Sequence, residues 1–484
     1  MINSIQQFQE NGVKNLTEIF SCYTDDLTKF AEMVQGVARE VTRLGLSIIE
    51  EELESYDQLL RERKDLRKGW YIERHDETKL LTSLGEVCYH KTYFHNKETG
   101  EYCYLLDQLM GLERHARISE DAQARILKEA AKSSYRKGDI NACIGEQEVS
   151  KETVMKKLHV LEFPTLEPLE EKRKVKRLYI DADEDHVSLQ YLEKKGDIRK
   201  PRTNTVMPKL IYVYEDVDYD GSKHELVQCS FFGGDYAGTE ETRKLWKEVF
   251  GFIKESYDED TLEKVYINGD GADWIKTGTG MHAKARFVLD RFHMHKYIIA
   301  ATSHLKDSAE DARNEIYRAI NGKRKRAAAE AFDKIAEVTE SGTKVKAVEA
   351  AKTYILGNWS GIMESVRAKD KSLQCSAEGH VSHVYSDRMS SRPLGWNRRG
   401  ADRMARLRIY RQNNGDMLEL VRYQKKELPE VAGAEEVIYS ATQMLSAERR
   451  SRDRLGELAD IPVYSIPYPQ IKKIATLKNH IWGL

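Results

Sequence analysis

Residues 265–296 read VYINGDGADWIKTGTGMHAKARFVLDRFHMHK. Val265, Tyr266 and Ile267 form a short apolar, β-prone run that stops at Asn268-Gly269-Asp270-Gly271. A strand ending in Gly-Asp-Gly holds a carboxylate at a sheet edge, and the glycines let the backbone turn and a ligand approach. A second apolar run, Phe287-Val288-Leu289, stops at Asp290-Arg291-Phe292-His293. Two neighbouring strands that each end in an acid make the kind of crevice in which α/β sheets bind ligands and metals. Asp and Gly are also ordinary turn residues, so Asp270 takes its chemical meaning from the residues around it.

Working upstream, Pro164, Pro168 and the charged run from Glu170 to Arg177 mark a linker. The next strand is Leu178-Tyr179-Ile180-Asp181-Ala182-Asp183, continuing towards Val187 and Leu189. Asp181 and Asp183 are two apart and therefore share a face, and Asp185 has the same parity further along. Strands follow at Leu210 to Tyr214 and at Glu225 to Phe232, then a helix from Glu240 to Lys254 leads into the strand that ends at Asp270. The pattern is mixed α/β.

Before the linker, Leu27, Phe30, Val34, Val37, Val41, Leu44 and Ile48 alternate spacings of three and four along a helix. That stripe suits packing within its own domain or a coiled-coil contact between subunits. Val87 to Phe94 and Glu101 to Leu105 flank Asn96-Lys97-Glu98-Thr99-Gly100 as a β-hairpin. Cys88, His90, His95 and Cys103 lie nearby but lack the paired spacing of a zinc site. Residues 118–160 return to helix and hold a candidate helix-turn-helix: Tyr135 to Ala142, a turn at Gly145-Glu146-Gln147-Glu148, and a second helix from Ser150. Ser150 suits an N-cap, with Val149 and Val154 placed as a hydrophobic staple. Lys151, Lys156, Lys157 and His159 decorate the second helix, which could enter a major groove.

Downstream, residues 300–369 read as polar helices and include Lys323-Arg324-Lys325-Arg326, a phosphate-contacting or simply solvated run. Glu378 follows in Ser376-Ala377-Glu378-Gly379-His380. It precedes an arginine-rich segment containing Arg388, Arg392, Arg398, Arg399 and Arg403, whose guanidinium groups suit a DNA backbone.

GDGADWI, DRFHMHK, CSAEGHVSH and SSRPLGWNRRGADRMARLR occur in that order. Together they resemble the bacterial insertion-sequence transposases of the ISLre family. The Asp290-x-x-His293 pair is similar to the D-x-x-H signature of Mutator-like and hAT-like transposases. The resemblance spans roughly Gly69 to Tyr410. It implies an RNase-H-like catalytic core carrying a helical insertion, an Asp-Asp-Glu metal site, and activity on double-stranded DNA, both terminal inverted repeats and target, within a homo-oligomer. By that pattern Asp183 is the first carboxylate, with Asp181 the alternative, Asp270 the second and Glu378 the third, while Asp290 and His293 serve near the site. His380 and His383 could orient Glu378 or contact phosphate.

The chemistry fits those residue types. In-line phosphoryl transfer needs an activated nucleophile, a stabilised leaving oxygen and charge neutralisation, which two Mg²⁺ (or Mn²⁺) ions roughly 3.5–4 Å apart supply. Magnesium prefers oxygen ligands and keeps several waters, so a few carboxylates suffice. A catalytically inactive domesticated DNA-binding protein and an RNase-H-like nuclease that cleaves without joining are the alternative functions.

With 484 residues, 40% hydrophobic and 32% charged, the chain has ample core for several domains. The expected segments are a helical region at 1–67, a small β region at 68–112 and the helix-turn-helix-like region at 113–165. A catalytic core follows at 170–300 and 371–425, around an insertion at 301–370, with a tail at 426–484. A net charge of −2 excludes a uniformly basic DNA coat, so nucleic-acid contact must come from local patches. No apolar run approaches a membrane span, the start MINSIQQFQENG lacks signal-peptide character, and the six scattered cysteines suit a reducing cytoplasm. The expected setting is bacterial cytoplasm, associated with the nucleoid.

Overall fold

The computed structural model describes residues 3–135, 149–191, 204–219, 225–368, 370–373, 377–391 and 395–425. The first helix of the candidate helix-turn-helix beyond Tyr135, its turn, and the tail beyond 425 lie outside the described residues. The described residues divide into two compact units, one formed by those up to residue 125 together with residue 425 and the other by those between 126 and 424. No helix among the described residues is long and apolar enough to cross a membrane.

In the first unit, α1 (Val13–Asp25) packs against α2 (Phe30–Glu62). Gly36 permits the approach, since a Cβ there would lie 3.0 Å from Ile19 Cδ1. The heptad stripe is exposed at its start and half-buried at Val37, Leu44 and Ile48. Leu27, Phe30, Val34 and Val41 are exposed, whereas Leu53 and Leu60 near the end of α2 are buried. The latter pack on an antiparallel sheet of β1 (Trp70–Leu81), β2 (Glu86–Asn96) and β3 (Tyr102–Tyr104), whose core includes Trp70, Val87, Tyr89 and Phe94. Asp57 of α2 is buried and accepts from the backbone N–H and the hydroxyl of Thr92 at 2.7 and 2.6 Å, tying helix to sheet.

The second unit contains α3 (Lys151–His159). It then supplies β4 (Arg177–Glu184), β5 (Lys209–Tyr214), β6 (Ser230–Gly234), α4 (Gly238–Ser256), β7 (Lys264–Gly269) and β8 (Ala285–Leu289). The five strands make one sheet in the order β6-β5-β4-β7-β8. Central β4 pairs antiparallel with β5 and parallel with β7, and β7 pairs parallel with β8.

Side chains alternate across the pleat. Leu178, Ile180, Ala182, Ile211, Val213, Val265 and Ile267 join Leu245, Trp246, Val249 and Ile253 of α4 in one core. The other face therefore carries Tyr179, Asp181, Asp183, Tyr212, Tyr214, Tyr266 and Asn268.

The strand expected from Glu225 to Phe232 is in fact two. Gln228 adopts φ 51°, which ends the pleat. Glu225–Val227 pairs with Asp216–Asp218, and only β6 joins the main sheet.

Beyond β8 the chain is helical: α5 (Arg291–Thr302), α6 (Ala309–Asn321), α7 (Lys325–Glu337), α8 (Gly342–Gly357) and α9 (Trp359–Ala368). Ile316, Phe332, Ile355 and Trp359 anchor their shared core, which Leu289 of β8 enters. The chain then returns to the sheet through α10 (Ala377–Val381) and α11 (Arg398–Gln412).

Candidate active site

The parallel register brings two carboxylates together. Asn268 of β7 stands opposite Asp181 of β4, and Asp270 and Asp183 each lie two residues further along the chain, Asp270 just past the end of β7. Adjacent strands lie ~4.8 Å apart. Burial pushes the Asp183 carboxyl up to about 6, with the charge of Asp270 adding to the rise. Asp183 Oδ1 accepts from the N–H of Glu184 at 2.8 Å, and Asp270 Oδ1 from the N–H of Ala272 at 2.8 Å.

Asp290 ends β8 and caps α5. Its Oδ1 accepts from the N–H of Phe292 at 3.0 Å, and its Oδ2 lies 2.8 Å from His293 Nδ1. Its own N–H donates to Gly269 O at 2.9 Å, locking the two strand ends side by side. The hydrogen bond to Asp290 holds His293 above the ordinary imidazole range despite burial, and the charges of Asp290, Asp183 and Asp270 act in the same direction. The D-x-x-H spacing thus places one imidazole in the field of three acids.

Asp181 has a different environment. It is 1% exposed. Tyr212 Oη donates to its Oδ2 at 2.7 Å, while Asn268 Nδ2 and Tyr214 Oη donate to its Oδ1 at 2.6 and 3.3 Å. Tyr179, Tyr214 and Tyr212 form a stacked row across this face, and the His380 ring packs on Tyr212 with centroids 4.6 Å apart. His380 Nδ1 lies 3.2 Å from Tyr212 Oη. Helix α10, which carries Glu378 in its backbone, is therefore laid against the face of β4 that bears Asp181 and Asp183. The Glu378 side chain lies outside the described residues.

The Gly-Asp-Gly turn is gripped from the helical segment. Tyr354 Oη donates to the Asp270 carbonyl at 2.5 Å, and its ring stacks on Tyr297 with centroids 3.8 Å apart. Gly271 has φ +90°, and a Cβ there would meet Asn358 Oδ1 at 2.7 Å, so both conformation and space demand glycine. Tyr212, Tyr214, Asn268 and Tyr354 were not singled out in the sequence. The tyrosines of Leu210-Ile211-Tyr212-Val213-Tyr214 do show the parity that would have flagged a polar-tipped face.

The basic residues sort into two groups. Ser150 caps α3 through its hydroxyl, which accepts from Thr153 N–H at 3.2 Å, and Val154 and Leu158 are buried. Lys151 and Lys156 are exposed and Lys157 is half-buried. His159 sits beside Arg399, and a Cβ on Gly400 would meet its Nε2 at 2.7 Å. Exposed Arg399 at the start of α11 therefore adjoins α3, whereas exposed Arg398 bonds Asp235 at 2.8 Å. Arg403 is half-buried beside Asp402.

Arg388 corrects the expectation of a DNA-facing guanidinium. It is 6% exposed, donates to Ala130 O at 2.9 Å and lies against the rings of Tyr135 and Trp396. Burial lowers its pKa to about 10. An extended cation–aromatic contact with a committed Nε is a packing role. Arg392 lies outside the described residues.

Among the described residues no three His, Cys, Asp or Glu side chains converge closely enough to hold a metal ion. Asp183 and Asp270 carry oxygen donors of the class that magnesium takes.

Comparison with known proteins gives the family. The profile of an uncharacterised protein family, UPF0236, matches residues 23–427. The UPF0236 protein TTE2489 of Caldanaerobacter subterraneus subsp. tengcongensis is 36% identical over 426 residues, covering 87% of each chain. A second UPF0236 protein of that organism, whose name spans eleven loci, is 36% identical over 424 residues, covering 87% of this chain and 86% of its own. Among solved structures, the Drosophila P element transposase strand transfer complex aligns with 73% of this chain and 90% of that chain, at 12% identity and a TM-score of 0.24. On the profile and on these relatives, the chain belongs to the UPF0236 family.

Proposed function

We propose that the chain is a DNA transposase with an RNase-H-like core. In this reading Asp183, Asp270 and Glu378 hold two Mg²⁺ ions for cleavage and strand transfer at the ends of an insertion sequence. The observation that carries the reading is that Asp183 near the end of β4 lies within the electrostatic reach of Asp270, just past the end of parallel β7, so that burial, with the charge of Asp270 adding to it, pushes the Asp183 carboxyl up to about 6. A buried carboxyl beside a second acid is relieved by a proton or by a shared cation. The strand order, with two antiparallel strands on one side of β4 and two parallel strands on the other, is the order expected of such a core. A family member whose single name spans eleven loci of one genome also fits a mobile element. The motifs that resemble ISLre-family transposases agree with this reading.

Bound Mg²⁺ would activate the attacking hydroxyl and offset charge on the transferring phosphoryl oxygens. The chain's own groups hold the geometry. Asp290 keeps the ends of β7 and β8 together through its N–H to Gly269 O and holds His293 through its carboxylate. His293 is kept more basic than usual by its hydrogen bond to Asp290. Tyr354 fixes the Asp270 backbone. Lys151 and Lys156 on α3, with Arg399 beside it and Arg398 next in the chain, would contact the backbone of the bound DNA end.

The test is direct. Purified protein is incubated with DNA carrying the element's inverted repeats and with Mg²⁺, and products are resolved on a sequencing gel. Cleavage and joining that vanish in Asp270→Ala and Glu378→Ala, with end binding retained, support the reading. Cleavage without joining would make the chain a nuclease. Binding without Mg²⁺-dependent chemistry would make it a DNA-binding protein that has lost catalysis.

A further inference from the structure

The Lys323-Arg324-Lys325-Arg326 run gains a setting in the fold. A cavity of about 610 Å³ opens between edge strand β8 and the helices that follow it, and Arg286, Lys323, Lys325 and Arg367 are among the residues that line it. These cations come from three separate places: the strand, the approach to α7 and the end of α9. A single solvated helix face does not gather charge in that way. One acid, Glu364, shares the lining, and it is engaged by Lys264 at 2.9 Å. Among the described residues, Arg286, Lys323, Lys325 and Arg367 have no ion pair with an acid.

The cleft is also prepared to receive a ligand. Arg286 Nη1 donates to the carbonyls of Ala283 and Ala285 at 2.9 and 2.7 Å, so the guanidinium is held at the edge strand with other N–H groups left over. Fixing a long cationic side chain in advance removes part of the entropy cost of binding an anion. Arg286 lies on the same strand as Leu289, whose neighbour Asp290 caps α5. Four residues of strand span roughly 13 Å. Duplex DNA carries a phosphate every ~3.4 Å of axis on each strand, so a backbone passing the carboxylates would reach the cleft within about four phosphates.

We propose that this cleft binds the phosphate groups of DNA flanking the reacting phosphate, as an anion site separate from α3 and from the carboxylates. The inference rests on the transposase reading only for the identity of the polyanion. The ligand chemistry is phosphate, and free nucleotides are the other source that the test must separate.

The full chain is titrated against fluorescein-labelled duplex DNA between ~50 and ~200 mM salt, where phosphate contacts dominate the slope of log K against log salt. The comparison is wild type, Lys323→Ala/Lys325→Ala/Arg367→Ala, and the charge-keeping Lys323→Arg/Lys325→Arg/Arg367→Lys. The alanine variant is expected to bind more weakly, with the slope reduced by about 0.9 for each phosphate no longer neutralised, while the charge-keeping variant retains the wild-type slope. Equal affinity and slope in the alanine variant would overturn the proposal. So would loss of fluorescent ATP binding in the alanine variant with an unchanged DNA slope, which assigns the cleft to nucleotides. A reduced slope in the alanine variant, with no Mg²⁺-dependent cleavage by the wild type, leaves the cleft standing and removes the transposase reading.

Discussion

Tyr212 donates its hydroxyl to Asp181 Oδ2 at 2.7 Å, and the same hydroxyl oxygen lies 3.2 Å from His380 Nδ1. One tyrosine thus joins the innermost acid of β4 to the helix that carries Glu378. Asp181 also receives Asn268 and Tyr214. Its oxygens accept from buried side chains of β5 and β7, whereas Asp183, two residues on, is partly open and feels the charge of Asp270.

The two aspartates should therefore separate on mutation. Asp181→Asn puts an amide donor among hydroxyl and amide donors, leaving buried groups mispaired at ~1–3 kcal/mol. Thermal melting should show that loss, and Mg²⁺-dependent cleavage should survive at reduced level. Asp183→Asn should abolish cleavage in a folded protein. A stable, inactive Asp181 variant beside an active Asp183 variant would reverse the assignment.

The raised carboxyl of Asp183 makes a pH prediction for metal-free protein. Its folded pKa of about 6 exceeds the ordinary 3.8, so the folded state binds the proton more tightly than the unfolded chain does. Ionised Asp183 therefore costs stability, a cost absent below about pH 4, growing between about pH 4 and 6, and complete above about 6. At ~1.4 kcal/mol per unit the cost is a few kcal/mol at most. Asp183→Asn should raise the metal-free melting temperature at about pH 7 but not at about pH 4. Added Mg²⁺ should raise that of wild type more than that of the variant. Equal melting curves at both pH values would show that the carboxyl carries no strain.

Tyr354→Phe deletes one hydroxyl that holds the Asp270 carbonyl and keeps the stack on Tyr297. A hydrogen bond of ~1 kcal/mol corresponds to about a fivefold effect. The expected readout is a higher Mg²⁺ concentration for half-maximal cleavage, with the melting temperature nearly unchanged. A lower melting temperature with unaltered metal dependence would make Tyr354 merely structural.

Helix α3 makes the fourth prediction. Lys151→Ala and Lys156→Ala together should weaken binding to the element's ends and flatten its salt dependence by about 0.9 in slope per phosphate released. An unchanged footprint and slope would leave α3 as a packing element against α11.

Much of the second unit was legible in the sequence. Apolar runs ending at Asp183, Asp270 and Asp290 are local patterns, and the period of two alone divides Leu178 and Ile180 from Tyr179 and Asp181. The Ser150 cap was readable for the same reason, since its hydroxyl bonds a backbone N–H three residues away. Tertiary structure decided the rest. Which of two same-face aspartates is saturated depends on tyrosines from β5 and an asparagine from β7, brought across by strand register. Arg388 looked like a DNA contact because charge is visible in a sequence, but its burial depends on Ala130, Tyr135 and Trp396, which the fold packs around it. The basic cleft likewise exists only where β8 meets the helices after it. Local hydrogen bonds and periodicity are written in neighbouring residues, whereas desolvation and charge gathering belong to contacts between residues far apart, which only the folded chain brings together.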